Sequence, residues 1–105
     1  MKRVAVVVPL RAGAHVTAKV LVEQGPPVDL EDTGLDRHEV FLTEHEAIFL
    51  FEGADPRRAV ERMVGDAAVW RAGVAWRECL GGKPRLVEPA FVWAREAEPL
   101  HVPGL

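Results

Sequence analysis

The sequence has no serine, no asparagine and no tyrosine in its 105 residues. These absences exclude a serine nucleophile, a tyrosine general acid or phenoxide, and an asparagine in an oxyanion hole. A single cysteine, Cys79, leaves no intrachain disulfide to form. With no export signal legible, a cytoplasmic address is the expectation. Cys79 falls in a helical segment and reads as a small buried hydrophobe. Apolar runs stop far short of the roughly 20 residues that a membrane span needs, so no membrane partner is expected. Acidic residues slightly outnumber basic ones, 16 to 13. A net charge of −3 argues against nucleic acid, whose backbone calls for a basic surface. Arg57, Arg58 and Arg62 do cluster, but at the spacing of a solvated helix face.

What the chain has in quantity is apolar residues, at 49%. That content and the length fit one domain, expected over residues 1–93, with a C-terminal arm over 94–105. Two segments, Val4-Ala5-Val6-Val7-Val8 and Ala47-Ile48-Phe49-Leu50-Phe51, are apolar on both parities. A strand alternates its side chains between two faces, so both faces of this sheet call for burial.

The periodicity predicts a strand over Lys2–Leu10 and a helix over Ala12–Gln24 with Ala14, Ala18, Leu21 and Val22 inward. Gly25-Pro26-Pro27 ends that helix, and Val28–Gly34 is an acidic link with room for one helical turn. Arg37–Thr43 and Glu46–Glu52 read as a hairpin. Asp55-Pro56 opens a second helix with Val60, Met63, Val64 and Ala67 on one stripe, and Gly65-Asp66 kinks or restarts it. Val69, Ala72, Gly73, Trp76 and Leu80 continue inward until Gly81-Gly82, and Arg85–Trp93 is the last strand.

This β-α-β-β-α-β string predicts an α+β fold of ferredoxin-like type, a four-stranded antiparallel sheet with both helices on one face. The other face is then bare. Four strands of about five residues span roughly 300 Å² in plan, worth on the order of 7 kcal/mol per chain if covered. A patch of that kind rarely stays exposed on a monomer, so a homodimer is expected.

The order and the doubly apolar strands resemble the dimeric α+β barrel superfamily. Its members include stress-responsive barrel proteins, cofactor-free monooxygenases, haem-degrading enzymes and L-rhamnose mutarotases. The pattern is most similar to the mutarotases. Val4–Leu10 is followed by Arg11-Ala12-Gly13-Ala14-His15, and Ile48-Phe49-Leu50-Phe51-Glu52 leads into helix. Val69-Trp70-Arg71 and Glu88-Pro89-Ala90-Phe91-Val92-Trp93 complete the likeness. The resemblance implies the fold and the dimer. It does not carry mutarotation, because the family's helix-one tyrosine and histidine fall on Ala18 and Val22. Nor does it carry haem degradation, which uses an asparagine that this chain lacks.

Among the remaining polar groups, His38 shares its parity with Val40 and Leu42 and is the candidate proton-transfer residue; a satisfied core histidine is the alternative. Trp70, Trp76, Arg77, Phe91, Trp93 and His15 are candidates to line a ligand pocket, with simple core or surface roles as the alternative. His45 and His101 read as solvated, no metal-ligand spacing appears, and no cofactor is expected. Three functions stay open: a small-molecule-binding or accessory dimer, a cofactor-free enzyme on a small cyclic or hydrophobic substrate, and an interaction module without a pocket. A void beside Trp76 and His38 would favour the first two; close packing would favour the third.

Overall fold

Strand β1 (Lys2–Pro9) is the hub of the sheet in the computed structural model, which describes residues 2–95. The chain continues through α1 (His15–Glu23), a 3-10 turn (Leu30–Asp32), β2 (Leu35–Leu42) and β3 (Glu46–Gly53). Then come α2 (Pro56–Val64), α3 (Ala67–Trp76), a second 3-10 turn (Arg77–Cys79) and β4 (Arg85–Val87). The strands lie in the order β2-β3-β1-β4, and every neighbouring pair is antiparallel. β1 and β2 therefore run parallel with β3 between them, a split β-α-β unit. The expected single second helix is two helices and a turn, restarted at Gly65-Asp66.

All three helices pack on one side of the sheet. Val8, Ala47, Ala14, Ala18 and Cys79 form one buried cluster with Leu21 and Trp76 against it. Val4, Phe51 and Val60 form another, flanked by Met63 and Leu86. The core is built mostly from small side chains: Ala18 and Ala47 are fully buried, whereas the tryptophans are not. Asp55 caps α2 by accepting from the Arg58 N–H at 3.3 Å, with Pro56 in the first turn. Asp66 caps α3 by accepting from Ala68 N–H at 2.7 Å. Thr43 Oγ1 accepts from the N–H groups of both His45 and Glu46, which tightens the β2–β3 hairpin.

Four expectations need correction. The first helix starts at His15, not Ala12, because Gly13 takes φ +80° in a turn that a helix cannot continue. Val64 is exposed and so is Ala67, because α2 ends at Val64 and the stripe is interrupted. β2 begins at Leu35, with an irregular register before Arg37. Most consequentially, the last strand ends at Val87 rather than Trp93. Ala5 pairs with Val87 and Val7 with Arg85, so the same register would set Pro89 against Arg3 and Ala90 against Lys2. Pro89 has no N–H to donate, which ends the ladder before it. Of the expected arm over 94–105, all but Ala94 and Arg95 lies outside the described residues, as does His101.

Candidate functional site

Three places on this fold bear on function: an aromatic cluster under the helices, a groove at the sheet's edge, and the sheet face away from the helices.

The cluster is set by strand pairing. His38 faces Phe51 and Val40 faces Phe49 across β2–β3, all on the helix side. The His38 ring stacks on Phe51 at 4.6 Å between centroids, nearly parallel, and lies 6.4 Å from Phe49. Trp76 meets Phe49 edge-on at 5.6 Å. A carbonyl only accepts, so His38 Nδ1 donates its proton to the Leu50 carbonyl oxygen at 2.9 Å. In the neutral ring, Nε2 then carries the free lone pair. His38 is half-buried, as its parity with Val40 and Leu42 implied.

The structure thus joins His38 and Trp76 through Phe49. The other expected pocket residues lie elsewhere. Trp70 is 67% exposed on α3, and Arg77 is exposed in the second 3-10 turn. Phe91 and Trp93, 82% and 70% exposed, lie beyond the end of β4. His15 opens α1, half-buried, and its Nδ1 is shut from solvent without a hydrogen-bond partner among the described residues. Among those residues no three His, Cys, Asp or Glu side chains converge as metal ligands.

The groove was not anticipated. It runs between α2 and β4, holds about 320 Å³, and is walled by Val6, Val60, Val64, Pro84 and Leu86. Glu61 and Arg85 supply its charged margin. Neither His38 nor Trp76 lines it. Val64, placed by the sequence on the same stripe as Val60, is 51% exposed and faces this groove.

On the sheet face away from the helices, Ala5 lies between Leu50 and Val87, and Val7 between Ile48 and Arg85. Phe41 continues the second row beyond Ile48. Val7 is buried among these neighbours; Ala5, Ile48, Leu50 and Val87 are half-buried, and Phe41 is 48% exposed. Ion pairs frame this apolar centre. Arg3 Nε meets Glu52 Oε2 at 2.8 Å, Arg37 Nε meets Glu39 Oε1 at 2.6 Å, and Arg85 approaches Glu46 at 3.9 Å. The hydrogen bond that Arg37 donates to Glu39, reinforced by that carboxylate's charge, raises the Arg37 pKa above the usual arginine value.

Among the described residues, no helix is long and apolar enough to cross a membrane. No protein-family model matches this chain, and no curated protein matches it in sequence.

Proposed function

We propose that this chain is a small-molecule-binding or accessory protein that works as a face-to-face homodimer of the dimeric α+β barrel type. The observation that carries the reading is the sheet face that no described helix covers, with its apolar centre and ion-paired frame. Arg3, Arg37 and Arg85 balance Glu39, Glu46 and Glu52 there, whereas the whole chain is at −3. Two such faces meet without net repulsion, and the negative excess stays on other surfaces. Covering about 300 Å² of sheet contributes on the order of 7 kcal/mol per chain before the entropy of association is subtracted. The split β-α-β order supports the likeness to the superfamily that includes L-rhamnose mutarotases. Ala18 is fully buried in α1 and Val22 half-buried, so mutarotation itself is no part of the proposal. Cys79, buried and unpaired, fits a reducing compartment such as the cytoplasm.

The seat for a ligand is the groove between α2 and β4. Its volume lies at the small end of ligand sites, and its apolar walls with one acid and one base at the margin suit a small hydrophobic or cyclic molecule with one polar group. A thermal-shift screen of such compounds tests this. Binding there stabilises the protein, and Val64→Trp, which fills the groove, abolishes the shift. A hit whose shift survives Val64→Trp places binding elsewhere, and a screen without hits removes the ligand reading.

One observation favours a cofactor-free enzyme as the second reading. The Leu50 carbonyl fixes the His38 tautomer, which leaves Nε2 as a proton acceptor beside Phe51. Unchanged turnover in His38→Ala, once a substrate is found, removes this reading.

A further inference from the structure

We propose that the segment Glu88–Trp93 is an exchanged arm, which lays Phe91, Val92 and Trp93 along the margin of the open sheet face of a second copy of this chain, beside the part that the partner's sheet covers. The inference rests on the homodimer reading and adds to it a part of the interface that each copy supplies from outside its own sheet.

The arm has a fixed root. Glu88 Oε1 accepts from Arg57 Nε at 3.1 Å and Nη2 at 2.8 Å, which ties the end of β4 to the first turn of α2. Pro89 follows and restricts the backbone further. Past this anchor the chain pairs with no strand among the described residues: β4 ends at Val87, and Pro89, which the register would set opposite Arg3, has no N–H to donate. Yet the next three residues are large and apolar. Phe91 is 82% exposed, Val92 56% and Trp93 70%. Trp93's one aromatic-face contact among the described residues is the Arg95 guanidinium, 5.7 Å from the ring centroid. A run of that kind in water calls for cover that its own sheet does not reach.

The area needed by a dimer points the same way. A stable interface removes roughly 800 Å² per partner, and a sheet face of about 300 Å² falls well short. Phe and Trp side chains each bury about 150–250 Å², so docking this arm closes most of the gap. Position supports the link as well. The arm leaves from Val87, which sits in the same cross-strand row as Ala5 and Leu50 on the open face, so arm and face are continuous. An aromatic residue at each end of the run supplies the kind of anchor that dominates binding energy.

The test uses the full chain labelled with 5-fluorotryptophan. The Trp93 fluorine signal is assigned by its loss in Trp93→Phe, and its H2O/D2O shift reports solvent contact. It is followed across the concentration range in which sedimentation shows association. The expected result is a Trp93 signal that is solvated in the dilute monomer and loses solvent contact as the dimer forms. The double variant Phe91→Asp/Trp93→Asp then weakens association by about tenfold or more. A Trp93 that stays solvated in the dimer, or a double variant that dimerises as tightly as the wild type, overturns the arm. The open-face dimer still stands in that case if Ile48→Arg is monomeric. A Trp93 already dry at every concentration shows the arm packed on its own chain and also overturns the exchange. A chain that stays single throughout removes both readings. Should the double variant fail to fold, the fluorine signal of the wild-type sequence decides alone.

Discussion

Val7 lies directly across from Ile48 on the sheet face that no helix among the described residues covers. The pair sits at the centre of the apolar patch, inside the frame of arginines and glutamates. Replacing Ile48, half-buried there, with arginine puts a fourth guanidinium on a face whose charges otherwise cancel. The chain itself has no reason to unfold, since the helix-side core is untouched. Ile48→Arg is expected to weaken dimerisation by on the order of 100-fold while leaving the circular dichroism of the fold unchanged. Analytical ultracentrifugation of the variant beside the wild type checks it; equal dissociation constants would contradict it.

Gly81 is a position where the fold needs a glycine for space. A Cβ there would lie 2.8 Å from the Leu10 carbonyl carbon and 2.9 Å from Arg11 N, both backbone atoms. The approach is held by the Gly81 N–H bond to the Pro9 carbonyl at 2.8 Å. Gly81→Ala is expected to destabilise the protein by about 1–3 kcal/mol, because the strand end and the following turn must move apart. Urea denaturation reads this as a lower midpoint.

Asp66 permits the restart of helix after Gly65. Its carboxylate accepts from Ala68 N–H, and α3 carries Trp76 to the face of Phe49. Asp66→Ala is expected to cost about 1 kcal/mol, with Asp66→Ser retaining most of it. Chemical denaturation of the two variants, measured together, separates loss of the cap from loss of charge.

His38 is expected to hold its proton on Nδ1 in the neutral form, because the Leu50 carbonyl accepts only from that nitrogen. Nitrogen-15 chemical shifts of the ring distinguish the two tautomers directly. A neutral ring protonated on Nε2 would contradict the bond and, with it, the free lone pair that the enzyme reading needs.

Much of this architecture was legible because it depends on local rules. The stripe of Ala14, Ala18 and Leu21 marks α1, Asp55-Pro56 starts α2, and Gly65-Asp66 splits the helical stretch as expected. The parity of His38 with Val40 and Leu42 placed it on the helix side. Register is another matter. Arg85–Trp93 has the composition of one long strand, but its ladder with β1 stops at the Ala5–Val87 pair, two residues before Pro89, which has no N–H to donate. For the same reason Phe91 and Trp93 were expected with the pocket residues and instead extend past the sheet. The groove was hidden more deeply. Val6, Val60, Pro84 and Leu86 come from three separate parts of the chain, and no local pattern says that they leave a gap between them. Shape of that kind arises only from packing.

Sedimentation equilibrium of the wild-type chain across micromolar concentrations tests the central claim most directly. The account predicts a mass of two chains, falling toward that of one on dilution or in Ile48→Arg. A well-folded protein of single-chain mass over the whole range would contradict it.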